Sequence, residues 1–141
     1  MKRRLLEGLE LDDDRARVDR RAVHRFITET YWAKGRPRRT MDRLIDEADR
    51  VVGLYDEGRQ TGFCRTVSDG QSIAYLADVY VLPEYRGRGL GLELVREAVE
   101  RGPYRGVRWL LHTADAHGLY RKLGFNEPSE RLLERPAAGR S

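Results

Sequence analysis

The residues best suited to chemistry lie between Asp78 and Arg101. Val79-Tyr80-Val81 alternate as a strand, a polar corner carries glycines at 87, 89 and 91 between Arg86 and Arg88, and an amphipathic helix follows at once. Glycine lets the backbone take positive φ and come close to a ligand, while the first amides of a helix have no partner inside it. Those N–H groups, the positive end of the helix dipole and the two arginine side chains should converge on one spot. Such a spot suits a diphosphate.

Spacing sorts the phosphate loops this could be. A dinucleotide fingerprint that started at Gly87 would need glycine at 92, where the chain has Leu92. The Gly-Lys-Ser/Thr ending of a P-loop is absent. What remains is Arg86-Gly87-Arg88-Gly89-Leu90-Gly91 after a Val-x-Val strand. This resembles the Arg/Gln-x-x-Gly-x-Gly/Ala loop of the GCN5-related N-acetyltransferase (GNAT) family. Downstream, Tyr120-Arg121-Lys122-Leu123-Gly124-Phe125 is similar to the family's Tyr-x-x-x-Gly-Phe, with Ala116 four residues before the tyrosine.

The resemblance implies direct transfer of an acetyl group from acetyl-CoA to a primary amine of a small molecule or peptide, with no metal. It assigns the pyrophosphate to residues 86–91 and pantetheine contacts to the backbones of Val79 and Val81. Tyr120 would lie beside the sulfur and protonate it on departure; a phenol of reference pKa about 10 is within roughly two units of an ordinary thiol. Packing against Phe125 is the other reading of that tyrosine. Thr113 stands where many relatives have asparagine, seven residues before the tyrosine, and the resemblance implies a side-chain contact there to the pantetheine arm of the cofactor. Asp78 is the carboxylate available as base, or else a structural hydrogen-bond acceptor. On a regular strand it shares a face with Tyr80, opposite Ala77 and Val79. Need for a base depends on the acceptor: deprotonating a lysine-like ammonium at pH 7 costs roughly 4.6 kcal/mol, an α-amine only about 1. Tyr31 and Trp32 are candidates for the acceptor pocket or for the core. His24, His112 and His117 read as structural. A catalytically inactive acyl-CoA-binding regulatory module would keep the loop without the chemistry, and a nucleotide-binding protein is a third reading.

Elements to position these residues can be read in chain order. A short strand over residues 4–11 is followed by a helix from Asp19, its N-cap, to about Tyr31-Trp32, with Ala22, Val23, Phe26 and Ile27 on one stripe. A loop over 34–39 leads to a second helix capped by Thr40, with Met41, Leu44, Ile45 and Ala48 on its apolar face. Strands are expected at 51–55, 60–67 and 72–82, then a helix whose Leu90, Leu94, Val95, Ala98 and Val99 pack on the sheet. A strand at 107–112, a helix ending near Lys122 with Gly124 left-handed, and a last strand near 131–134 complete the chain. This is an α/β (α+β) single domain over 1–135, with a disordered tail over 136–141. The order is that of the GNAT fold, a mixed and mostly antiparallel twisted sheet with helices on both faces.

At 141 residues, 40% hydrophobic and 35% charged, the chain suits one soluble domain. One cysteine, Cys64, excludes an internal disulfide and a cysteine-built zinc site. The N-terminus starts basic, but Glu7 and Glu10 interrupt any apolar run, so a cytoplasmic protein without a membrane partner is expected. The net charge of +4 comes from arginines interleaved with acids, which speaks against nucleic acid as partner. Exposed sheet edges leave room for a homodimer.

Overall fold

The computed structural model describes residues 1–139. Its six-stranded sheet runs in sequence order: β1 (Lys2–Arg4), β2 (Leu9–Asp12), β3 (Arg50–Asp56), β4 (Arg59–Ser68), β5 (Ile73–Val81) and β6 (Arg108–Leu110). Every pairing is antiparallel except β5 with β6, which is parallel. The helices are α1 (Arg20–Ile27), α2 (Arg38–Glu47), α3 (Leu90–Glu100) and α4 (His117–Arg121).

The sheet separates two cores. On one face, Leu11, Val52, Leu54, Cys64, Leu76 and Val81 pack under α3 and Tyr120 of α4. Val51, Phe63 and Tyr80 pack on the other face under Val23 and Ile27 of α1 and Met41 and Ile45 of α2. The stripes expected on all three long helices are the ones that face the sheet. Cys64 is wholly buried, and desolvation pushes its thiol up to about 12, so it packs and stays protonated.

Several boundaries differ from the sequence reading. Residues 4–11 are the hairpin of β1 and β2, turned at Glu7 and Gly8, both with positive φ. The Asp19 side chain caps α1 by accepting from Ala22 N, but the helix ends at Ile27, well before Tyr31. The second helix starts at Arg38 after Pro37, without a side-chain cap, so Thr40 lies inside it. No strand forms near 131–134; that segment is exposed and irregular. Of the expected tail, residues 136–139 are exposed and hold no helix or strand, and Arg140 and Ser141 lie outside the described residues.

One departure shapes the site. Phe63 pairs with Tyr80 and Arg65 with Ala77, which leaves Cys64 opposite both Asp78 and Val79. That is a β-bulge, with Asp78 at φ +54. The bulge inverts the alternation of β5: Leu76 before it and Val79 and Val81 after it pack toward the same core. At Gly62, opposite Val81, an added Cβ would sit 2.9 Å from the Tyr80 carbonyl oxygen and 3.1 Å from Leu54 Cβ. Gly62→Ala is therefore expected to destabilise by about 1–2 kcal/mol, read by denaturant titration.

Candidate active site

The glycine corner between β5 and α3 keeps its amides free. Among the described residues, the N–H groups from Gly87 to Leu92 meet no acceptor, whereas Arg86 N donates to Pro83 O and Glu93 N to Gly89 O. Gly87 and Gly89 have φ of +80 and +75, and a Cβ on either would meet nothing within 4 Å, so their backbone conformation and not crowding selects glycine. Gly91 does a different job: its Cβ would lie 3.2 Å from Leu119 Cδ1, so it lets α3 approach α4. The arginines are braced. Arg86 Nε donates to Val81 O at 3.0 Å, and the Arg88 guanidinium lies 5.3 Å from the Tyr85 ring centroid. Open space beside the glycines and a row of free amides at the N-terminus of an 11-residue helix fit a polyphosphate.

A strand edge leads away from this corner. β6 pairs with β5 only over Ile73–Tyr75, so from Leu76 to Val81 that edge of β5 has no neighbouring strand. Beyond Tyr75 the two strands part, and an extended amide-bearing chain can lie in the gap as an added strand. From Val81 to the bulge is roughly 10 Å at about 3.3 Å per residue.

Tyr120 is 8% exposed and stands edge-on to Phe125, centroids 5.8 Å apart. Burial chiefly, with Cys64, Tyr31 and Asp115 adding to it, raises its phenol above the ordinary tyrosine value. No group among the described residues hydrogen-bonds its hydroxyl. It lines an open cavity of about 690 Å³ together with Tyr75, His112, Thr113 and His117. Gly124, at φ +88, ends the turn after α4 as expected. Thr113 Oγ1 accepts from Ala116 N at 3.1 Å, so this side chain closes the turn that starts α4.

Asp78 lies on the α1–α2 side of the bulge, its side chain 1% exposed. Trp32 Nε1 donates to Oδ1 at 3.0 Å; Arg36 Nη1 and Arg65 Nε donate to Oδ2 at 2.8 and 2.6 Å. Burial pushes its pKa up, but the Arg65 and then the Arg36 guanidinium outweigh that and hold it below the usual carboxylate range. Tyr31 is exposed, edge-on to Trp32, and its hydroxyl accepts from Ala114 N at 2.9 Å, which ties the α1–α2 connection to the loop before α4.

Two arginines of this cluster escaped the sequence reading. Arg65 had a signal: it alternates with Phe63 on β4 and so shares the face of a core residue. Arg36, in a loop, had none. Of the histidines, His24 Nε2 bonds the Arg36 carbonyl at 2.7 Å, His112 bridges Tyr75 and Glu134, and His117 opens α4. Among the described residues no three His, Cys, Asp or Glu side chains gather as a metal site, and no helix is long and apolar enough to cross a membrane.

Known proteins are similar to this chain in sequence and in fold. The profile of the acetyltransferase (GNAT) family matches residues 15–125. A crystal structure from Xanthomonas campestris pv. campestris, of a protein assigned to that family, is 38% identical and superposes with a TM-score of 0.86 over 93% of this chain and 94% of its own. Serotonin N-acetyltransferase 2, chloroplastic, from Oryza sativa subsp. japonica is 34% identical over 108 residues, 70% of this chain and 54% of that protein. GCN5-related N-acetyltransferase 1, chloroplastic, from Arabidopsis thaliana is 27% identical over 130 residues, 87% of this chain and 59% of its own length. The chain thus spans about half the length of such relatives.

Proposed function

The chain belongs to the GNAT acetyltransferase family, and from that premise we propose that it moves the acetyl group of acetyl-CoA onto a primary amine of a small molecule or peptide. The observation that carries this reading is the row of unpartnered amides from Gly87 to Leu92, set at one end of a strand edge that has no neighbour. The corner takes a diphosphate, the edge takes an amide-bearing arm, and the arm ends at the bulge.

Transfer from a thioester to an amine brings the nitrogen lone pair to the carbonyl carbon, breaks the C–S bond and leaves one proton to be lost by nitrogen and one to be gained by sulfur. The buried, protonated Tyr120 supplies a hydrogen bond and then a proton on the sulfur side. On the other side Asp78 is held as an anion by its three donors, which makes it a weak proton acceptor at neutral pH. Its work in this reading is to keep Trp32, Arg36 and Arg65 gathered beside the bulge. The amine's proton then passes to water and the Tyr120 phenolate regains one from water, which suits an acceptor of modest basicity. Trp32 and Tyr31 form the wall of the acceptor side.

A thermal-shift comparison tests the reading. Acetyl-CoA at about 100 times its Kd should stabilise the chain by about 2.7 kcal/mol, and NAD or ATP by much less. With an amine panel, free thiol should appear in step with acetylated product. Stabilisation without thiol from any amine would leave only the inactive binding module; stabilisation by NAD or ATP and none by acetyl-CoA would remove both.

A further inference from the structure

We propose that the guanidinium groups gathered on Asp78, those of Arg36 and Arg65, receive an oxyanion, a carboxylate or a phosphate, carried by the amine that is acetylated. This rests on the acetyltransferase reading and narrows its substrate class.

Charge and satisfaction point the same way. Two cations face one anion, and all three side chains are withdrawn from water, at 16%, 13% and 1% exposure for Arg36, Arg65 and Asp78. Arg65 uses Nε on Asp78, and among the described residues the Nη fork at its tip meets no acceptor. Arg36 uses Nη1, on Asp78 and the Met41 sulfur, and leaves Nη2 and Nε. Glu134, across Tyr75, is held by His112 and does not complete the cluster. Among the described residues the Tyr55 hydroxyl alone is a buried side-chain polar atom without a partner, so the free nitrogens of Arg36 and Arg65 open to the surface, where an incoming anion can meet them.

Position decides what pairs. The cluster adjoins the bulge, which lies within the open edge of β5, on the sheet face opposite α3. Trp32 closes one side, and Tyr31, bonded to Ala114, bounds another. A group bound here lies next to the reacting carbon but off the cofactor's own path along the edge. The guanidinium fork matches two oxygens of a carboxylate or phosphate, so it orients the acceptor as well as attracting it.

The test compares matched amines with the wild-type chain and acetyl-CoA: each amino acid against its amide, and ethanolamine phosphate against ethanolamine. The anionic member of at least one class should show a kcat/KM about tenfold or more above its neutral partner. Arg36→Gln should bring that ratio near one, and Arg36→Lys should restore part of it. Binding is read separately. In a Trp109→Phe chain, Trp32 is the one remaining indole of the two, and its emission should change saturably with N-acetyl amino acids and not with their amides.

Equal kcat/KM for charged and neutral partners would overturn the anion site and leave the transferase reading intact. Saturable binding of the anions with no thiol released from any amine would keep the anion site and remove the transferase reading. Absence of both preference and binding overturns the proposal outright. Whichever anionic class is favoured separates carboxylate from phosphate.

Discussion

Replacing Tyr120 by phenylalanine is expected to lower kcat by about 100-fold or more while acetyl-CoA binding stays within a few-fold of wild type. The substitution removes one oxygen and keeps the ring that stands against Phe125 in the core. Because no protein group pairs with that hydroxyl among the described residues, its loss leaves no orphaned partner, and folding should be little changed. Burial also holds the phenol above its ordinary value, so it is protonated throughout the working range. The same shift makes it a weaker acid than an exposed tyrosine. In the proposed transfer its proton moves only as negative charge develops on the departing sulfur, so the effect belongs in kcat. Steady-state kinetics beside a thermal-shift measurement of acetyl-CoA binding checks this, and unchanged turnover would remove Tyr120 from the chemistry.

Asp78→Ala should have the largest effect on stability, about 3 kcal/mol, because it leaves two guanidinium groups sheltered from water without their common anion. For a chain of this size that corresponds to a fall in Tm of about 10 °C. Asp78→Asn keeps the shape and isolates the charge. The folded pKa of Asp78 is depressed, so below about 3.9 the unfolded chain takes up the proton first. The stability contributed by this carboxylate is thus fully present above about pH 4 and is lost as pH falls through the folded value. Asp78→Asn should lower stability at neutral pH and make the acid limb of the stability profile shallower. In activity, the same variant separates two roles: a base would carry the acidic limb of kcat/KM with it, whereas an anchor leaves that limb to the substrate amine. An unchanged Tm for Asp78→Ala would show that the cluster contributes nothing to the fold.

Where an element depends on its own residues, it was legible in the chain. The apolar stripes of α1, α2 and α3 face the sheet as their spacing requires, and the corner at 86–91 takes its positive φ at glycines. The helices and the turn follow from such local features, because 3.6-residue and two-residue periods and glycine's freedom act over a few bonds, whereas the family is read from the resemblance of two motifs, Arg86–Gly91 and Tyr120–Phe125. Legibility ended where distant segments meet. Glu97 lies in α3 between the predicted apolar positions, yet is 1% exposed, since Arg50 of β3 and Arg3 of β1 reach its carboxylate. Arg36, read as part of a loop, sits on Asp78 from 42 residues away.

The sequence by itself determined the glycine corner, the helix that follows it and the tyrosine further on, because each is specified within one or two turns of chain. Asp78 shares the face of Tyr80, opposite Val79, as alternation along the strand predicts; only the tertiary structure decided that Leu76, two residues before it, packs on the opposite face. The alternation rule assumes a uniform pleat, and the pleat breaks where Cys64 must be shared by Asp78 and Val79. That register belongs to the pair of strands and to neither alone, so the switch of faces between Leu76 and Asp78 could be settled only when the strands had paired.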